Sequence, residues 1–258
     1  MKKRGACPFF VSVLYMQDLQ KPSGNYSPLP CDFIFQIRNL LLILGGVLSA
    51  SCVTGCMETD SFTPPASRQP VQTLTIVALG DSLTEGYGLE EYQAYPFLLE
   101  AKLQKEGFSC LVINAGISGE TSSGLLSRIN RILSLKPDIV ILCTGTNDGL
   151  GGINHRLISS NISKMVQTFK EHQATVILAG MKMLVNYGPS YTEPYNRLYA
   201  EIADQEQLIF MPFFLEGVAG KPELNLADGI HPNAKGYQII AASVYPYVLK
   251  AMQIVRRR

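Results

Sequence analysis

Three side chains set far apart in this chain could together transfer an acyl group. Ser82 stands in Gly80-Asp81-Ser82-Leu83, and a serine hydroxyl is a poor nucleophile until an adjacent imidazole can take its proton. Of the three histidines, His155, His172 and His231, only His231 has a carboxylate three residues before it, in Asp228-Gly229-Ile230-His231-Pro232. A sharp Asp-Gly turn would bring Asp228 beside the imidazole, where it accepts from one ring nitrogen and fixes the tautomer. His155 and His172 read as surface residues of a loop and of a helix end.

Such residues act together only if a scaffold brings them to one place. From Leu74 onward the chain supplies short apolar runs: Leu74 to Leu79, Cys110 to Asn114, Asp138 to Cys143, Thr175 to Ala179 and Leu208 to Met211. Their β-branched and aliphatic content, without alternation, suits strands buried on both faces. Helical periods lie between them. Leu125, Leu126, Ile129, Ile132 and Leu133 share one face of a helix that Pro137 stops; Ile162, Met165, Val166 and Phe169 repeat the pattern. Tyr95 to Glu106 forms a further helix with Gly107 placed to cap it. Strands alternating with helices predict an α/β fold, a flavodoxin-like three-layer α/β/α sandwich with a five-stranded parallel sheet. In such sheets ligands bind beyond the carboxyl ends of the strands.

The loops at those ends carry the distinctive residues. The first strand runs into Gly80-Asp81-Ser82-Leu83-Thr84-Glu85-Gly86-Tyr87-Gly88, the second into Asn114 through Ile117-Ser118-Gly119-Glu120-Thr121, and the third into Gly145-Thr146-Asn147-Asp148-Gly149. A capped strand-to-helix turn would explain the first block alone, but its Gly-Asp-Ser-Leu tetrad arises by chance in about one chain in a hundred of this length. With Asp228 to Pro232, these make four blocks in order. The set resembles the SGNH (GDSL-type) hydrolases, and within them the thioesterase I/lysophospholipase/arylesterase branch. The resemblance runs from about Leu74 to the C-terminus and includes Leu184-Val185-Asn186-Tyr187-Gly188, similar to that branch's substrate-proximal loop. It implies Ser82, Asp228 and His231 as the catalytic residues. It assigns the oxyanion donors to the Ser82 and Gly119 backbone N–H groups and the Asn147 side chain. The bland readings are a turn glycine for Gly119 and a turn-capping amide for Asn147; Asp81 and Asp148 read as structural, closing their loops.

Other chemistries lack their signatures. No G-x-S-x-G marks an α/β-hydrolase elbow, and no G-x-G-x-x-G or P-loop lysine marks a nucleotide site. No C-x-x-C pair or H-E-x-x-H supports zinc, so no cofactor is implied and no metal is expected. Cys110 and Cys143 sit inside apolar runs and read as small buried hydrophobes. A net charge of +1 leaves no field to draw nucleic acid. The basic clusters Lys2-Lys3-Arg4 and Arg256-Arg257-Arg258 read as solvated ends.

The first 73 residues have a different character. Leu40 to Ala50 is an uncharged apolar stretch of 11 residues behind Arg38, too short to span a bilayer but suited to a signal peptide. Val53-Thr54-Gly55-Cys56 resembles the bacterial lipobox, with Cys56 as the lipid-attachment residue. A plain signal peptide cleaved nearby, or an uncleaved anchor, is the competing reading. Residues 1–56 are thus expected to be a leader whose translation start lies nearer Phe33 than Met1, residues 57–73 a Thr/Ser/Pro-rich tether, and residues 74–258 the hydrolase domain. The location expected is the bacterial cell envelope after export, membrane-bound through a lipid anchor, or soluble in the periplasm. Met57, where inner-membrane retention would call for aspartate, favours the outer membrane.

The activity expected is hydrolysis of carboxylic esters and thioesters through an acyl-serine, with lysophospholipid or fatty-acyl and aryl esters as small-molecule or lipid substrates. A deacetylase of envelope carbohydrate esters is the alternative within the enzyme class. A non-catalytic acyl-binding lipoprotein is the alternative outside it.

Overall fold

The computed structural model describes residues 73–183 and 188–258. Five strands, β1 (Leu74–Gly80), β2 (Cys110–Gly116), β3 (Ile139–Cys143), β4 (Thr175–Ala179) and β5 (Ile209–Met211), fall where the apolar runs place them. They form one sheet in the order β2-β1-β3-β4-β5, and every pairing is parallel. Every residue of β3 and β4 is buried, which is why those segments are apolar throughout and do not alternate.

Eight α-helices accompany the sheet among the described residues: α1 (Ser82–Glu85), α2 (Tyr95–Lys105), α3 (Ser122–Ser127), α4 (Ile129–Leu133), α5 (Thr146–Leu150), α6 (His155–Glu171), α7 (Pro189–Gln205) and α8 (Ala234–Val255). Helices α2 and α8 pack together, while α6 lies against both α3 and α7. Right-handed crossovers require this division, because the chain steps one way from β1 to β2 and the other way from β2 through β5. The result is the expected flavodoxin-like α/β/α sandwich. Helix α6 buries Ile158, Ile162, Met165, Val166 and Phe169, the stripe its sequence carries. Helix α2 ends as expected at Gly107, at φ 85°; the Phe108 N–H reaches the Leu103 carbonyl and the Gly107 N–H that of Gln104, a Schellman closure.

One expected helix is two. The face through Leu125 and Leu133 is interrupted at Arg128, at φ −105° and ψ 12°. The Arg128 guanidinium leaves the helix surface to bond the Glu120 carboxylate and the Ala115 carbonyl, 2.8 Å away. The break in the apolar period thus falls on the residue whose side chain is paired outside the helix. The expectation for His155 also changes: it is the first residue of α6, not a loop residue.

Strand order reverses between β1 and β3, so the loops leaving them diverge and open a crevice. Ser82 follows β1 and Asn147 follows β3. Two glycines let α1 sit directly on the strand ends. A Cβ on Gly80 would collide with the Cys143 carbonyl oxygen and the Thr84 side chain, and one on Gly116 with the Glu85 nitrogen. Neither backbone can yield freely: one belongs to β3, the other to the helix that Ser82 opens.

Candidate active site

Ser82 opens α1, and Asp81 caps that helix through a bond from the Leu83 N–H to its Oδ1, 3.0 Å. From the other end of the chain, α8 steadies the same turn: the Tyr237 hydroxyl donates to the Leu83 carbonyl at 3.0 Å. Ser82 is 8% exposed, so its hydroxyl meets solvent only along the crevice.

His231 reaches it from a loop tied down on both sides. The Leu226 N–H donates to the His231 carbonyl at 2.7 Å, and the Gly229 N–H to the Leu226 carbonyl at 3.0 Å. Gly229 takes φ 71°, a left-handed turn that glycine adopts without steric cost. Just beyond, Asn233 caps α8 through the Lys235 and Gly236 N–H groups. Within the turn, Asp228 Oδ1 accepts from the Ile230 and His231 N–H groups at 2.9 and 3.0 Å, and its Oδ2 lies 2.7 Å from His231 Nδ1. His231 Nε2 lies 2.9 Å from Ser82 Oγ. The three expected residues therefore form one line of hydrogen bonds, although Ser82 and His231 are separated by 149 positions.

The electrostatics follow from these contacts. The His231 and Ile230 backbone N–H groups, and then the imidazole, hold the Asp228 carboxyl down at about 2. Asp81 behaves oppositely. Burial pushes its carboxyl up to about 6, although the Leu83 N–H acts against that rise. Two carboxylates near one serine thus differ by environment: one is ionised at any neutral pH, and the other is poised near it.

The expected oxyanion donors surround the same point. Among the described residues the Ser82 and Gly119 amides donate to no protein acceptor. Asn147 Nδ2 donates to the Glu120 carbonyl at 3.0 Å and lies 3.4 Å from Asp81 Oδ2. The second contact is weak, so one hydrogen of that amide is only loosely engaged. The loop carrying Asn147 is held from beneath by α7: the Tyr199 hydroxyl donates to the Thr144 carbonyl at 2.8 Å and that of Tyr195 to Gly145 at 2.9 Å. Asp148 closes the neighbouring loops by accepting from the Ser122 N–H and hydroxyl at 2.7 and 2.6 Å.

Of the remaining expected residues, Gly188 precedes α7 at φ 75°. Asn186, Tyr187 and the lipid-attachment residue Cys56 lie outside the described residues. His172 is exposed at the end of α6, its Nδ1 2.8 Å from the Thr168 carbonyl. Cys110 and Cys143 are buried free thiols. Among the described residues no cluster of three or more potential metal ligands occurs.

Sequence reasoning missed Tyr87, whose ring packs tilted against His231 with centroids 4.5 Å apart. Its signal was its place in the serine block, five residues after Ser82. Tyr87 also lines a cavity of about 590 Å³ with Glu85, Leu89, Glu91, Asn114 and Ser118. That cavity flanks the line of three, reaching from Tyr87 to Ser118, the residue before Gly119.

Residues 78–239 match the GDSL-like Lipase/Acylhydrolase family. The chain is 36% identical over 200 residues to Esterase TesA of Pseudomonas aeruginosa, covering 77% of this chain and 97% of that one. It is 35% identical over 168 residues to Thioesterase 1/protease 1/lysophospholipase L1 of Escherichia coli K12, covering 65% and 79%. Among solved structures, the psychrotrophic esterase EstA of Pseudoalteromonas sp., inhibited by monoethylphosphonate, superposes with a TM-score of 0.67 at 33% identity, over 69% of this chain and 98% of that one.

Proposed function

This chain belongs to the GDSL-like lipase/acylhydrolase family and is an ester hydrolase, and on that premise we propose that Ser82 is its nucleophile, His231 its general base and acid, and Asp228 the carboxylate that orients the imidazole. The observation that carries this reading is the continuous line Ser82 Oγ–His231 Nε2 and His231 Nδ1–Asp228 Oδ2, at 2.9 and 2.7 Å. Ser82 Oγ attacks the ester carbonyl carbon while its proton passes to His231 Nε2. The Ser82 and Gly119 amides and Asn147 Nδ2 receive the developing oxyanion. Collapse of that intermediate expels the alcohol, which takes the proton back from His231 Nε2. Water then attacks the acyl-serine by the same route in reverse, releasing the acid and restoring the hydroxyl.

The proposed substrate is a fatty-acyl ester, of the lysophospholipid or aryl type, with thioesters as a secondary class. The names of the P. aeruginosa and E. coli relatives support it, as does the open cavity beside Tyr87. A panel of p-nitrophenyl esters from acetyl to palmitoyl, run beside lysophosphatidylcholine and an acyl-CoA, is expected to show kcat/KM rising with chain length beyond butyryl. A maximum at acetyl, with no lysophosphatidylcholine turnover, would instead favour the deacetylase of envelope sugars.

The proposed address is the cell envelope, with residues 1–56 as leader, Cys56 lipidated as the first mature residue, and residues 57–73 tethering the 74–258 domain. The apolar stretch before Cys56 and the Val53-Thr54-Gly55-Cys56 sequence support it; more than one acyl chain makes a stable anchor. Among the described residues no helix is long and apolar enough to cross a membrane. Mass spectrometry of the mature protein is expected to find a chain beginning at an acylated Cys56. An unlipidated chain beginning at Met1 overturns the proposal.

A further inference from the structure

We propose that Glu85 is a positioning residue for the Gly119 amide, latching the loop between β2 and α3 to the helix that carries Ser82; the inference rests on the reading of Ser82 and Gly119 given above. Gly119 is not held by packing. A Cβ there would meet no atom within 4 Å, and its φ of 77° lies where glycine moves freely. Its position is therefore inherited from its neighbours. On the C-terminal side, Glu120 is gripped by Arg128, with Nε 2.7 Å from Oε1, and the guanidinium is itself braced on the Ala115 carbonyl at 2.8 Å. On the N-terminal side the Ile117 N–H donates to the Gly80 carbonyl and the Glu120 N–H closes the turn onto the Ile117 carbonyl, both at 3.1 Å, and the side chain that grips Ser118 between them is Glu85. Its Oε2 accepts from the Ser118 N–H at 2.8 Å and from the Ser118 hydroxyl, and these are Ser118's hydrogen bonds among the described residues.

The Glu85 backbone is fixed independently, so its carboxylate is aimed and not merely nearby. Asn114 Nδ2 donates to the Glu85 carbonyl at 3.1 Å, and the bare Gly116 backbone lies directly against the Glu85 nitrogen. Ser82 and Glu85 are the first and last residues of α1. The latch therefore references the Gly119 donor to the same four-residue turn that presents the nucleophile. Donors help an oxyanion only when their geometry is set before the reaction, and a displacement of about 1 Å can cost 10²-fold. Both Glu85 and Ser118 are exposed, so water competes for the bond and the latch tightens the loop without being needed for folding.

The test uses the full chain with Glu85→Ala, Glu85→Gln, Ser118→Ala and the Glu85→Ala/Ser118→Ala double variant, with circular dichroism to establish folding. Each is measured for kcat and KM on p-nitrophenyl butyrate and for inhibition by an alkylboronic acid, which forms a tetrahedral adduct at a reactive serine. Glu85→Ala is expected to lower kcat about tenfold, a fraction of the 10²–10³ that a whole oxyanion donor contributes. KM should stay within about twofold, and boronate inhibition should weaken by the same factor as kcat. Glu85→Gln keeps an oxygen that accepts from the Ser118 N–H and should recover most of the loss. The double variant should be no slower than Glu85→Ala, because both substitutions break one contact. An unchanged kcat in Glu85→Ala overturns the proposal. So does a rise in KM alone, which would make Glu85 a substrate contact of the cavity it lines, or losses that add in the double variant. Should Glu85→Ala not fold, Glu85→Gln matching the parent and a smaller kcat loss in Ser118→Ala are the expected results, and a parent-like Ser118→Ala overturns the latch. Turnover by Ser82→Ala at the parent's rate is a separate failure, that of the underlying site.

Discussion

Ser82→Ala is expected to lower kcat for a short aryl ester by on the order of 10⁵-fold, while the melting temperature stays within about 3 °C of the parent. The two halves of this expectation have different physical origins. The stability half follows from how little the hydroxyl does for the fold. Its only hydrogen bond among the described residues goes to His231 Nε2, at the solvent-facing crevice. The helix it opens is capped by Asp81 and steadied by Tyr237. Alanine at the first helical position keeps the backbone and forms no cavity larger than the lost oxygen. The kinetic half follows from Ser82 being the hydroxyl that His231 Nε2 meets; the described cysteines are buried thiols, Cys110 at the start of β2 and Cys143 at the end of β3. A residual rate of about 10³–10⁴ over water should survive, because the amides of residues 82 and 119 and the Asn147 side chain would still be available to an oxyanion. Labelling with a fluorophosphonate tests the same point without substrate: the parent should take up one equivalent on Ser82 and the variant none. A variant that hydrolyses as fast as the parent, or labels equally well, would remove Ser82 from the reaction.

Much of this site was legible before any coordinates, for identifiable reasons. Strands buried on both faces must be short and apolar, so the five runs marked the sheet to within a residue or two. Parallel strands bring their following loops to one edge, so the blocks after β1, β2 and β3 had to converge there. The pairing of Asp228 with His231 is local, contained within one turn, and local geometry is what sequence spacing encodes best. The misses share the opposite character. The helix breaks at Arg128, whose guanidinium is held by Glu120 and the Ala115 carbonyl, contacts that no apolar period registers. Tyr87 meets His231 across 144 positions, and Glu85 meets Ser118 across 33. No one-dimensional pattern marks these three, and the convergence of the loops gives them partners.

Asp228→Asn is expected to lower kcat at neutral pH by about 10⁴-fold with little change in KM, a larger effect than the loss of one negative charge suggests. In the parent, one oxygen of Asp228 accepts two backbone N–H groups and the other faces His231 Nδ1 at 2.7 Å. Asparagine has only one oxygen. If that oxygen keeps the turn, as two backbone donors favour, the NH₂ group is turned toward Nδ1. Nδ1 must then be the acceptor, which leaves the ring proton on Nε2, pointing at Ser82 and unable to take its hydrogen. The variant thus holds the imidazole in place but in the wrong tautomer. The pH dependence separates this from unfolding. The Asp228 carboxyl is lowered from 3.8 to about 2, so its stabilising contribution is complete above the unfolded value and is lost as pH falls through the folded one. Parent stability should therefore decline between about pH 4 and pH 2 more steeply than that of the asparagine variant, which has no group to titrate there. Above pH 5 the Asp228 carboxyl is ionised in the folded and the unfolded chain alike, so its own titration no longer contributes, while the activities of the two proteins still differ. Asparagine at 228 with parent-like kcat at pH 7 would mean that His231 needs no carboxylate partner, and the orienting role given to Asp228 would fail.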